Sequence, residues 1–311
     1  MSGFYPYNHK LEQEIQTDVT GVTADRAFVA HVNWADPAAA TSGAIKTITL
    51  GADAQTVTTG ITNPDYPRAL AVVGSVAGIA GNVVIAGTNY AGEAITDTIA
   101  LDGTTSKPGT KAFKTVTSIT VPAQAHTPVQ QVETATVEGA ITKAGDATVT
   151  ITSKLLPQPL TFPVAVVLAD DVAAVAGRIR EFITGALAAV NTHYTVGGEG
   201  ANVVLTAKMP AANDDTLNIA YDNDTCEGLT GDAISDNTTG GVAPDVVQIG
   251  TTDLLGLPYK LAHNTVLEAY LNNAKEAVAP TVAVSATALE SNTVDLNSAL
   301  NGKAVDVYLF V

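Results

Sequence analysis

Apolar and polar positions along this chain alternate in short runs far more often than they recur at helical spacing. Ala147, Val149 and Ile151 alternate with Thr148, Thr150 and Thr152, the period-two pattern of a half-buried strand. From Ser42 to Val121 similar runs follow one another. Ala44–Leu50 closes at Gly51, and Ala69–Val73 closes at Gly74. Asn82–Gly87 and Glu93–Leu101 flank a loop with turn chemistry at Asn89 and Gly92, a hairpin signal. Lys111–Val121 reads as one further strand, stopped by Pro122. Pro64, Pro67, Pro108 and Pro122 are read as lying between runs, since proline cannot donate to a ladder. Turn signals at this density predict a β-sandwich or barrel.

One segment departs from this rhythm. Val172, Val175, Ala176, Ile179, Phe182, Ile183, Ala186, Leu187 and Val190 recur at 3.6-residue spacing, behind a capping Asp170 or Asp171. That predicts one amphipathic helix, with Arg178, Arg180 and Glu181 on its wet side. Two strands follow it. Val203 and Leu205 share a face in one; Leu217, Ile219 and Tyr221 share a face in the other. Ser235–Gly241 reads as a linker of Asn, Thr and Gly. Beyond it, Val246–Gly250 is β text. Val266–Leu271 and Glu276–Ser285 bracket an Asn272-Asn273 turn, with a short helix over Asn264–Ala277 as the alternative. Val305, Val307, Leu309 and Val311 share one face of a terminal strand, which needs a partner inside a sheet.

The expected fold class is therefore mainly β: a sandwich or barrel-like domain interrupted by a small α+β, Ig-like module that holds the one helix. The expected boundaries are an extended N-terminal arm over 1–41, a discontinuous β domain over 42–139 and 243–311, and the inserted module over 140–242.

Composition narrows the function classes. The chain has 311 residues, 15 Lys and Arg against 31 Asp and Glu, and a formal net charge of −16. So acidic a chain lacks the excess cations that phosphate-tracking nucleic-acid binding requires. The single cysteine, Cys226, excludes an intramolecular disulfide and a cysteine-based zinc cluster. No apolar stretch is long enough to span a membrane, and the N-terminus lacks signal-peptide character, so synthesis in a cytosol without Sec-type export is expected.

Candidate chemistry is sparse. His9, His31, His126, His193 and His263 are scattered, with no helical metal pair. Asp222-Asn223-Asp224 begins like a calcium loop, but its sixth and twelfth positions are Glu227 and Ala233 instead of Gly and Glu. Together with Asn213-Asp214-Asp215 it reads as turn chemistry. Gly197-Gly198-Glu199-Gly200 precedes a strand and reads as a hairpin turn, not a phosphate cradle. Cys226 sits in an acidic setting that suits a nucleophile poorly. No catalytic, cofactor or metal residue is assigned. The residues singled out are Phe4, Tyr5 and Tyr7, three aromatics around Pro6 in a chain that is 5% aromatic. They read as anchors on the arm.

Several stretches resemble structural proteins of tailed-phage virions. They are Asn63-Pro-Asp-Tyr-Pro-Arg-Ala-Leu, Val84-Ile-Ala-Gly-Thr-Asn-Tyr-Ala-Gly-Glu-Ala-Ile, Lys111-Ala-Phe-Lys-Thr-Val-Thr-Ser-Ile, Leu255-Gly-Leu-Pro-Tyr-Lys-Leu-Ala-His-Asn and Ser291-Asn-Thr-Val-Asp-Leu-Asn. Ala147-Thr-Val-Thr-Ile-Thr and Ala211-Ala-Asn-Asp-Asp-Thr-Leu-Asn-Ile are similar to small modules inserted in such proteins. The resemblance implies a non-enzymatic virion component, preferably a capsid decoration or cement protein. Its partners would be the major capsid protein and further copies of itself, as a trimer, on the capsid surface. The alternative is a tail tube or tail-associated protein with an Ig-like insertion. A glycan-binding adhesin, an enzyme and the major capsid protein itself are less favoured.

Overall fold

A computed structural model describes residues 14–15, 25–26, 29–230, 234–296 and 298–310. The fold is mainly β with antiparallel pairing throughout, and it divides into two compact units: residues 1–125 with 245–311, and residues 126–244.

In the discontinuous unit, one sheet runs in the order Thr281–Ala283, Thr293–Asp295, Val246–Gly256, Arg68–Gly74, Lys107–Phe113, with Lys46–Thr49 also paired to Val246–Gly256. A second is ordered Gln55–Val57, Thr115–Val121, Ala80–Thr88, Ala94–Asp102. Leu70, Val72 and Ile249 of the first bury against Val83, Ile85 and Ile119 of the second, giving a sandwich core. A third sheet, Ala274–Lys275, Val266–Leu271, Val305–Phe310, Val29–Trp34, closes a separate core around Trp34, Leu255, Val305 and Val307. Val246–Gly256 serves both cores. Its pairing shifts between Thr251, opposite Leu70, and Leu255, opposite Arg68; the extra residues bend the strand and re-aim its side chains.

The terminal strand is thus interior to a sheet. Its N-terminal neighbour, Val29–Trp34, lies within the segment read as an arm, and its buried Val32 and Trp34 tie it to the core. The Lys111–Val121 run is not one strand. It passes from the first sheet to the second at Lys114, whose N–H donates to Thr88 O at 2.8 Å. Ala112 and Phe113 are both buried, a break in alternation that marks the corner. Gly87 permits the crossing, because a Cβ there would stand 1.9 Å from Thr115 O. Pro108 lies inside Lys107–Phe113, not between runs; it is tolerated because that strand ends its sheet. The Asn89 turn forms between Thr88 and Ala94, with buried Asn89 Oδ1 accepting from Ala91 N and Glu93 N, both at 3.0 Å. Asn272 and Asn273 hold positive φ in a two-residue hairpin, and the helical alternative there does not occur. Within Glu276–Ser285 only Thr281–Ala283 is strand.

The second unit packs two helices onto three sheets. The sheets are Tyr194–Gly197, Asn202–Ala207, Val132–Thr136, Asp236–Thr239; then Leu160–Val166, Gly145–Thr152, Asn218–Asn223; then Glu138–Lys143 with Glu227–Thr230. Helix α1, Val172–Ala186, starts at Asp171, whose carboxylate accepts from Ala174 N at 2.8 Å. Its Val175, Ala176, Ile179 and Ile183 bury against Val149, Ile151, Val203 and Leu205.

Three features depart from the pattern reading. The apolar spacing continues to Val190, but α1 stops before Leu187 and a second helix, α2, spans Ala188–His193. Asn191 Nδ2 bonds the carbonyls at the break: it donates to Thr184 O at 2.9 Å and, beside the Leu187 N–H, to Ile183 O at 2.8 Å. The unit begins at 126, not 140, because Val132–Thr136 pairs along Asn202–Ala207. Asp236–Thr239, inside the presumed linker, is a strand on Val132–Thr136 whose four side chains are all exposed. It buries no side chain and adds polar contacts at its surface, Asn237 Nδ2 donating to Asn213 Oδ1 at 2.8 Å, so its composition stays polar.

Candidate interaction surface

The third sheet of the discontinuous unit has two contrasting faces. Alternation places Val305, Val307 and Leu309 inward, so Asp306, Tyr308 and Phe310 face outward. Register sets Tyr308 between Glu268 and His31, and Asp306 between Tyr270 and Asn33. The outcome is a two-row grid across three strands.

Its rings are ordered. His31 stacks on Tyr308 with centroids 4.6 Å apart and planes 10° apart, and Tyr270 meets Tyr308 edge-on at 6.0 Å. Its polar atoms pin the rings. His31 Nε2 lies 2.7 Å from Asp306 Oδ1, to which Asn33 Nδ2 also donates at 2.8 Å. The Asn33 amide, then His31, hold the Asp306 carboxyl below the usual carboxylate range. Tyr270 Oη and Lys275 Nζ each donate to Glu268 at 2.6 Å. Lys275 and then Tyr270 keep Glu268 ionised to lower pH, while the same bond pushes the Tyr270 phenol up. A concavity of about 310 Å³ lies between Glu268, Tyr270, Asn273, Asp306 and Tyr308. Preordered tyrosines with paired polar neighbours are the composition of protein–protein hot spots.

Val29–Trp34 is the outer strand of this sheet among the described residues. Phe4, Tyr5 and Tyr7 themselves lie outside the described residues. The grid was missed in sequence because His31 and Tyr308 are far apart along the chain. The signal that finds it is the period-two pattern at the C-terminus: inward Val305, Val307 and Leu309 imply an outward Asp306, Tyr308 and Phe310.

No family model, curated protein or solved structure matches the chain.

The other sequence motifs resolve into structural roles. Gly198 and Gly200 hold positive φ in the turn between Tyr194–Gly197 and Asn202–Ala207. Asn223 accepts from Leu229 N and donates to Leu229 O, and buried Cys226 Sγ lies 3.4 Å from Asn223 Oδ1. Burial raises the proton affinity of Asp214. Bonds from Thr216, Lys154 N and Ser153 more than offset it and hold the carboxyl below its ordinary range. Ser153 Oγ bridges Asp214 Oδ2 at 2.9 Å and Tyr194 Oη at 2.7 Å in the same buried network. Among the described residues, no three His, Cys, Asp or Glu side chains are grouped to hold a metal ion, and no helix is long and apolar enough to cross a membrane.

Proposed function

We propose that this chain is a non-enzymatic structural subunit of a tailed-phage virion, a decoration or cement protein on the outer surface of the head. The supporting observation is the His31–Tyr308–Tyr270 grid on the outward face of the third sheet, with His31 exposed and the two tyrosines half-buried. A cement protein needs stiff sheets and broad complementary faces, and antiparallel pairing throughout both units supplies the stiffness. The net charge of −16 would keep decorated particles apart in solution. The major capsid protein would be the partner under the grid and the arm, and a trimer of this chain the repeating element. Tyr308 would act as the rigid contact, Tyr270 and His31 as its lateral supports, and Phe4, Tyr5 and Tyr7 as anchors.

The test is cosedimentation of the purified chain with heads that lack it. Tyr308→Ala is expected to weaken attachment by about tenfold or more, the range of an interface hot spot. A truncation lacking residues 1–20 is expected to weaken it as well, with the β signal of the fold unchanged. Attachment of both variants at wild-type affinity would remove this surface from the account. Attachment to tails in preference to heads would support the tail-tube reading instead.

A further inference from the structure

A second concave site lies wholly within residues 126–244. It encloses about 460 Å³, inside the range of small-molecule pockets, about 300–1,000 Å³. Its walls are set by the end of α2 with the strand after it, the end of Asn202–Ala207 with the loop over 208–214, the turn after Gly145–Thr152, and Gln131.

The lining has two chemistries. Leu155 and Met209 stand at the mouth, 51% and 76% exposed, and Met209 is the most exposed large apolar side chain among the described residues. Ala207 and the buried ring of Tyr194 extend this apolar wall inward. Lys154, Lys208 and His193 line the same pocket. Such a cluster is unusual here, because acidic residues outnumber Lys and Arg 31 to 15 across the chain.

The one lining carboxylate, Asp214, offsets one of the two lysines, so Lys154 and Lys208 together leave the lining one positive charge in excess. Asp214 Oδ2 already accepts from Ser153 Oγ and Lys154 N, and Oδ1 from Thr216 N and Oγ1, all at 2.9 Å or less. Lys154 Nζ forms a long ion pair with Asp214 Oδ1 at 3.8 Å, without a direct hydrogen bond, and its largely exposed side chain keeps its three donors open to a ligand. Lys208 Nζ spends one of its three donors on Asn191 O.

The larger groove beside Ala94–Asp102 lacks this character. The Asp97 carboxylate crosses it to accept from Thr110 N and Lys111 N, sealing the open edge of Lys107–Phe113.

We propose that the 126–244 pocket binds a small organic carboxylate with an apolar body, such as a medium-chain aliphatic acid. The chain of the ligand would lie against Leu155, Met209 and Ala207. Its carboxylate would lie between Lys154 and Lys208, with Tyr194 forming the inner wall. The inference is independent of the virion role, since it uses neither the grid nor the arm.

The test uses the full chain and ligand-detected NMR titration with three probes: octanoate, 1-octanol and inorganic phosphate. Octanoate should bind at least tenfold more tightly than 1-octanol, and phosphate should show no saturable binding. The exposed position of Met209 lets Met209→Asp fold, and this variant should lose octanoate binding by tenfold or more. The Lys154→Ala/Lys208→Ala double variant should bind octanoate and octanol equally. Equal binding of the two probes by the wild-type chain would overturn the proposal. So would unchanged octanoate affinity in Met209→Asp, or no saturation by octanoate in the wild-type chain.

Discussion

Glu133 is buried on Val132–Thr136, with Oε1 accepting from Ser235 Oγ at 2.6 Å and Oε2 without a hydrogen-bond partner. Burial raises its proton affinity above the ordinary glutamate value. The sign follows from linkage. Above the folded pKa the side chain is ionised in both states and the burial penalty is fully felt. As pH falls toward the unfolded value, the folded state takes up its proton first and the penalty is relieved. Glu133→Gln is therefore expected to raise the melting temperature of the 126–244 unit at about pH 7 and to leave it nearly unchanged at about pH 3.5, below the ordinary glutamate pKa. Calorimetry at both values checks this, and lower stability of the variant at neutral pH would contradict it. Asn89 was legible at this scale, because a turn needs a side chain that bonds its own backbone. Asn89→Ala should cost about 1–3 kcal/mol, the penalty for unsatisfied buried amides, read by urea denaturation. Glu133 was not legible, since a strand of polar text shows no sign that one carboxylate turns inward.

At the scale of elements, alternation located most strands and the helical period located α1. The boundaries failed where side chains do not carry the information. Asp236–Thr239 pairs through its backbone with every side chain exposed. The Lys114 corner depends on Gly87 in a different strand. The carbonyls at the end of α1 are bonded by Asn191, beyond the helix itself. The grid was hidden for the same reason, as register between distant strands fixes which polar residues meet. Two element-scale outcomes are expected. Asp171→Ala should lower stability by about 1 kcal/mol through loss of the α1 cap, measured by denaturant unfolding. Asn273→Gly should raise it by about 0.5 kcal/mol, because glycine takes the left-handed backbone of that hairpin without strain and Asn-Gly suits its turn.

For the whole molecule, the ends of each unit are held by its own hydrogen bonds. Ala125 N donates to Asp245 Oδ2 at 2.7 Å in the discontinuous unit. Val129 and Val242 exchange two backbone bonds at 2.9 and 3.0 Å in the other. Replacing residues 126–244 with a short Gly-Ser linker should therefore leave the remainder folded and monodisperse by circular dichroism and size-exclusion chromatography. Aggregation of that protein would contradict the division. The central claim concerns attachment of many copies to one particle. Electron cryomicroscopy of virions carrying a tagged form of this chain tests it most directly. The account predicts density covering the head lattice in symmetric clusters, with the outward face of the Val29–Trp34 and Val305–Phe310 sheet against the shell; heads and tails both free of that density would contradict it.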